Sequence, residues 1–179
     1  MLRELVLLLL LLLQRRERER GVRRTRGLLR TELMAERRVL FVCVENACRS
    51  LMAEAIFTAN APGGWVAESA GTRPASRPNP RTERFLGELG LSLPDHPPRE
   101  LTPESMDGAD LVITMGCLDD ANCPARLKAR PLRDWGLADP AQLDDEGFRS
   151  VRDEIARRIA TLIDEIRPDG SSPTSGRPT

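Results

Sequence analysis

The chain has 179 residues, enough for one domain with a full-sized core. Formal charge is zero overall, but residues 1–38 carry eleven arginines and five glutamates, leaving sixteen basic against twenty-two acidic groups in the rest. An acidic body argues against nucleic acid as the main partner, and four cysteines without a secretory context argue against a structural disulfide framework.

Leu5 to Leu13 is a nine-residue apolar run behind Arg3, followed by RRERERGVRRTR. It falls short of the roughly 20 residues that a spanning helix needs, and no small-residue cleavage site follows it. Residues 1–35 are therefore expected to be a charged extension, helical or disordered, with no stable membrane span. Met34 opens MAERRVLFVC as a natural start, so the extension also fits a misassigned upstream start. The folded body is expected over 36–167 and in the cytoplasm. Residues 168–179 (PDGSSPTSGRPT) have the composition of a disordered tail.

Val39 to Cys43 (VLFVC) is a short continuous apolar run, as in a parallel strand buried on both faces. From Ser50 to Ala61 the apolar residues Leu51, Ala55, Ile56 and Ala59 share one helical face, and Pro62-Gly63-Gly64 stops it. Trp65 to Ser69 predicts a second strand, closed by Ala70-Gly71-Thr72. Asn79-Pro80 predicts a helix start, with Asn79 as N-cap, running through Phe85, Leu86 and Leu89 to Gly90. A proline-rich connection leads to a third strand, Ala109 to Met115, and a fourth is expected over 129–134. Asp144 to Ile166 predicts the longest helix, with Val151, Ile155, Ile159, Leu162 and Ile166 at helical spacing. This alternation implies an α/β fold: a four-stranded parallel sheet with helices on both faces, a flavodoxin-like three-layer sandwich.

The segment CVENACRS, Cys43 to Ser50, lies between the first strand and the first helix. That is the carboxyl edge of a parallel sheet, where doubly wound proteins bind ligands. Backbone amides of Val44, Glu45, Asn46, Ala47, Cys48 and Arg49 can point at an anion there, and the helix start adds partial positive charge. The same groups stabilise a thiolate, which makes Cys43 a nucleophile. Arg49 can grip two oxygens of a tetrahedral anion in a bidentate fork, and Ser50 can donate to the Cys43 sulfur. In so arginine-rich a chain the Cys–Arg spacing alone is weak evidence, and the strand–loop–helix context carries it.

The segment VLFVCVENACRSLMAEAIF resembles the signature of the low-molecular-weight protein tyrosine phosphatase superfamily, which includes thiol-dependent arsenate reductases. The resemblance continues through SAGT (69–72), DLVITMGC (110–117) and WGLADP (135–140), and spans about residues 38–166 in order. It implies Cys43 as nucleophile, Arg49 as oxyanion clamp, Asn46 as a loop-shaping residue and Asp139 as the acid of an Asp-Pro loop. Pro140 behind Asp139 can hold a protonated carboxyl over a leaving oxygen; read alone, without the resemblance, the pair fits a simple Asp-Pro turn better. Glu45 departs from the pattern, which usually has Gly, and its carboxylate has to turn outward to avoid repelling substrate.

MGCLDDANCP, containing Cys117 and Cys123, resembles the redox segment of the arsenate reductases. That resemblance implies a cascade in which Cys43 attacks arsenate, Cys117 attacks Cys43, and Cys123 takes over Cys117 for reduction by thioredoxin, glutaredoxin or a small thiol. Two small buried side chains are the bland alternative, and the spacings lack the Cys-x2-Cys knuckle of common zinc sites. Ala141 follows the Asp-Pro pair and the chain contains no Tyr, so an aryl pocket would lack its wall. Arsenate reduction is therefore the leading expectation. Phosphomonoester hydrolysis is the runner-up, and a non-catalytic redox sensor or oxyanion-binding module is a third reading. Cys48 is expected to pack in the core, His96 to order a loop and Trp135 to pack beneath the Asp-Pro loop. By resemblance, Asn46, Glu54 and Ser69 match positions that hold potassium in some arsenate reductases.

Overall fold

A computed structural model describes residues 36–116 and 132–167. The described residues from Arg37 onward belong to one compact unit.

The described strands are β1 (Arg37–Cys43), β2 (Trp65–Gly71), β3 (Leu111–Thr114) and β4 (Leu132–Asp134). They form one parallel sheet in the order β2-β1-β3-β4. The expected sheet is thus present, with β1 central because its run of Val39 to Cys43 is buried throughout. Side-chain alternation along β1 divides the core in two. Val39, Phe41 and Cys43 face a large cluster that includes Met52 and Phe57 of α1 (Arg49–Asn60) and Ile155 and Ile159 of α4 (Asp145–Ile166). Leu40 and Val42 face the other way, onto Ala70, Val112 and Met106. Met106 belongs to α3 (Pro103–Asp107), which gives the sheet its second covered face.

The proline-rich connection hides this helix from periodicity, because five residues are too few to show one. Its signal is chemical: Thr102 accepts from the Ser105 amide and Ser105 reaches back to the Thr102 amide, a capping box, with Pro103 at the first helical position. Helix α2 (Pro80–Gly87) starts as expected, with the Asn79 side chain accepting from the Arg81 amide, but stops short of the expected Gly90. Glu88 caps it, Gly90 turns at φ 71°, and Leu89 is left 43% exposed. β3 is also shorter than the expected Ala109 to Met115, since only residues 111–114 pair with β1.

Helices α2 and α4 are tied by Glu88, which accepts from Arg149 and from the buried Arg152. Hydrogen bonds from those two arginines hold the Glu88 carboxyl down at about 2, against 4.5 for a free one. A carboxyl whose folded value is depressed contributes stability above the unfolded value and loses it as pH falls through the folded one. Glu88→Gln is therefore expected to lower the melting temperature at pH 7. The deficit should shrink below pH 4.5 and close near pH 2, as read by thermal melts across that range.

Candidate active site

Cys43 ends β1 and is 3% exposed. Two groups hold its sulfur: the Asn46 amide donates at 3.1 Å, and the Ser50 hydroxyl lies 2.9 Å away. The direction of the second contact follows from Asn46. Its Oδ1 accepts from the Arg99 amide at 2.7 Å, so its Nδ2 must be the donor to Ser50 Oγ at 2.9 Å and Ser69 Oγ at 2.8 Å. Ser50 Oγ, accepting from Asn46, has its proton free to give to Cys43. The Asn46 amide and the Ser50 hydroxyl thus both present a hydrogen to the sulfur.

Asn46 is the only described non-glycine residue with positive φ, at 49°. Asn tolerates that region better than most side chains, and here four hydrogen bonds involving its side chain and amide fix it there. The reversal lets the Asn46 amide turn back to Cys43. Glu45 becomes exposed, so the carboxylate faces solvent as the loop requires.

The segment after β2 braces the loop from outside. Arg73 N donates to Val44 O at 2.8 Å, Ala75 N to Glu45 O at 2.8 Å, and Asn79 N to Ala47 O at 3.0 Å. Thr82 Oγ1 adds a bond to Ala47 O at 2.9 Å. Gly71 makes the close approach possible, since a Cβ there would meet Val44 O at 2.6 Å and Asn46 N at 2.8 Å. Sequence reasoning quoted Gly71 within SAGT without seeing this role, and it missed Thr82 and Arg99 entirely. Arg99 acts through its backbone amide, which leaves no trace in residue type.

The start of α1 differs from the other α-helices described. Asn79, Thr102 and Asp144 cap α2, α3 and α4 through their side chains. No side chain caps α1, and no acidic residue sits in its first turn. Its first amides and the partial positive charge of the helix end are thus available to an anion beside Cys43. Arg49, first residue of α1, is 7% exposed. Its Nη1 donates to Met115 O at 2.9 Å and Leu137 O at 2.8 Å, locking the guanidinium plane across the site. Nε and Nη2 remain as a two-pronged donor edge for a tetrahedral oxyanion.

Asp139 is exposed and caps a short 3-10 turn, Pro140–Gln142, by accepting from the Ala141 amide. Its loop is tied to the site through Leu137 O on Arg49. Trp135 packs its indole on Phe41 of β1, with ring centroids 5.8 Å apart, so the approach to the Asp-Pro turn is anchored in the core. Cys48 is 6% exposed and faces the core as expected. Burial pushes its thiol up to about 11, which keeps it protonated at neutral pH. Cys117 and Cys123 lie outside the described residues.

Asn46, Glu54 and Ser69 do come together, but their oxygens face protein donors. Ser69 Oγ donates to Glu54 Oε2 at 2.5 Å, and His96 Nε2 lies 3.0 and 3.1 Å from the two Glu54 oxygens. His96 Nδ1 meets Pro97 O at 2.8 Å, so His96 ties the 91–97 segment to α1, in keeping with a loop-ordering role. Asn46 Oδ1 is likewise engaged, by the Arg99 amide.

Comparison with known proteins agrees with this geometry. The family described as low molecular weight phosphotyrosine protein phosphatase matches residues 38–172. Arsenate reductase 1 of Staphylococcus epidermidis is 32% identical over 133 residues, covering 74% of this chain and 100% of that protein. A thioredoxin-dependent arsenate reductase of Corynebacterium glutamicum superposes with a TM-score of 0.60 at 34% identity, covering 77% of this chain and 69% of the other. A low molecular weight protein tyrosine phosphatase from T. tengcongensis gives 0.62 at 30% identity, covering 73% and 99%. With its family signature over 38–172 and its nucleophile loop built as described, the chain belongs to the low molecular weight phosphotyrosine protein phosphatase family.

Proposed function

We propose that the protein reduces arsenate to arsenite, with Cys43 as first nucleophile and Cys117 and Cys123 as the thiols that complete the cycle. The observation that carries the first step is the sulfur of Cys43, held by Asn46 and Ser50 beside an uncapped helix start and the anchored guanidinium of Arg49. The further cysteines in MGCLDDANCP and the named arsenate reductases among the relatives support reduction as the sequel.

In this reading the Cys43 thiolate attacks arsenic, forming an S–As bond, and one arsenate oxygen leaves as water. Arg49 and the loop amides hold the remaining oxygens, and Asp139 is the residue placed in the proton-donating role. The Cys117 thiolate then attacks Cys43 Sγ. The S–As pair stays on arsenic, which falls from As(V) to As(III) and leaves as arsenite, and a Cys43–Cys117 disulfide forms. Cys123 attacks Cys117 Sγ and releases the Cys43 thiolate. An external thiol donor, of the thioredoxin, glutaredoxin or small-thiol class, reduces the Cys117–Cys123 disulfide.

Phosphomonoester hydrolysis is the second reading, favoured by Asp139-Pro140 on the loop that anchors Arg49 and by a named phosphatase among the structural relatives. Disulfide mapping by mass spectrometry after arsenate exposure separates the two. Cys117–Cys123 is expected to accumulate in proportion to arsenite formed. Hydrolysis of an aryl phosphate with no arsenate-dependent disulfide would establish the phosphatase instead.

A further inference from the structure

The reactant of Cys43 is an anion, yet residues 39–179 carry sixteen basic and twenty-two acidic groups, a field that repels anions. The arginines of this body are mostly neutralised. Arg84 pairs with Asp145, Arg149 and Arg152 with Glu88, and Arg157 and Arg158 with Glu154. Arg73, Arg77 and Arg99 stand apart: all three are exposed, and among the described residues no carboxylate pairs with any of them.

Their backbones place them around the nucleophile loop. The Arg73 amide is bonded to Val44 O, and the Arg99 amide to Asn46 Oδ1. Arg77 sits midway between Ala75 and Asn79, whose amides hold Glu45 O and Ala47 O. The carboxylates that stand with them are Glu45 within the loop, Glu100 beside Arg99, and Asp139 across the site, all exposed. Arg49 and the uncapped start of α1 tip the local balance positive.

We propose that Arg73, Arg77 and Arg99 form a cationic rim at the mouth of the Cys43 loop that draws small anions to the nucleophile against the field of the acidic body. The identity of the natural anion rests on the functional reading above; the rim itself does not. Steering of this kind raises the rate of encounter and fades with ionic strength, because attraction across more than about 10 Å is screened at 0.1 M salt, and the range shortens as salt rises.

The test uses the full chain and two alkylating probes, anionic iodoacetate and neutral iodoacetamide. Their rates at Cys43 are read by fragment mass spectrometry. In the triple variant Arg73→Gln, Arg77→Gln, Arg99→Gln, the iodoacetate rate is expected to fall about 10-fold at low salt, with the iodoacetamide rate unchanged. The difference should vanish near 0.5 M salt, at about the Debye length expected there. Glu45→Gln should move the iodoacetate-to-iodoacetamide ratio the other way. If both probes change in parallel, or neither does, the rim is overturned. In the wild type, absence of arsenate turnover would defeat the functional reading while the alkylation ratio still decides the rim. With turnover present, kcat/KM for arsenate should follow the iodoacetate rate and kcat should not.

Discussion

Cys43→Ser is expected to abolish arsenate reduction and any aryl phosphate hydrolysis together, each by about 10⁴-fold or more, with the fold retained. The reason is local. Serine fills the same space at the end of β1 and keeps partners for Asn46 and Ser50, so packing is preserved. A serine hydroxyl is a far weaker nucleophile toward arsenic or phosphorus than a cysteine sulfur in the same place. Circular dichroism and a melting curve check the fold, and steady-state assays check both activities. Residual reduction in this variant would remove Cys43 from the first step. Cys117→Ser supplies the contrast: hydrolysis of an aryl phosphate should persist while arsenate reduction stops. Reduction that survives Cys117→Ser intact would sink the cascade, because a thiol other than Cys117 would then be attacking Cys43 to release arsenite.

Arg49→Lys should cost about 10³-fold in kcat/KM for the oxyanion and about 2–3 kcal/mol of stability, a poor outcome for a substitution that keeps the charge. In the native site one guanidinium nitrogen satisfies two main-chain carbonyls, Met115 O and Leu137 O, and leaves a second edge for substrate. A single ammonium cannot satisfy both carbonyls and also present a fork to a tetrahedral anion. The activity loss should appear for arsenate and for phosphate competition alike, and the stability loss in urea or thermal melts. A variant with normal melting and normal kcat/KM would show that Arg49 neither anchors the loop nor grips the anion.

Wherever an element buries a periodic or continuous apolar set, it was legible in the sequence. VLFVC reads as β1 because a strand covered on both faces has no polar side to show. Helix α4 reads from Val151 to Ile166 because one stripe of it fills the core. The end of α2 was misjudged because Leu89 continues the apolar pattern while the backbone has already turned, with Gly90 in the left-handed region. Helix α3 was missed because a single turn has no period to detect, and only its capping chemistry marks it.

Cys43, Arg49 and Ser50 could be singled out from their spacing between a strand and a helix, and Asp139 from its proline and the family resemblance. The supports that make the loop work come from far along the chain: Ser69, Gly71, Thr82 and Arg99 meet it through hydrogen bonds or through the absence of a Cβ. All four act by a backbone group, a lone hydroxyl or missing atoms, features that local composition does not encode. The direction of the Ser50 hydroxyl toward sulfur likewise depends on the Arg99 amide fixing Asn46.

By itself, then, the sequence determined a parallel α/β body, and it singled out a candidate nucleophile at the end of its central strand and a candidate anion site at the helix start after it. Those follow from burial and from chain direction, which are local in sequence. Only the tertiary structure decided that Glu45 turns outward, that the Asn46, Glu54 and Ser69 oxygens are engaged by protein donors, and that Arg49 is anchored on two other loops. Each of those depends on which distant backbone atoms come within about 3 Å, a distance at which a hydrogen bond either forms or does not.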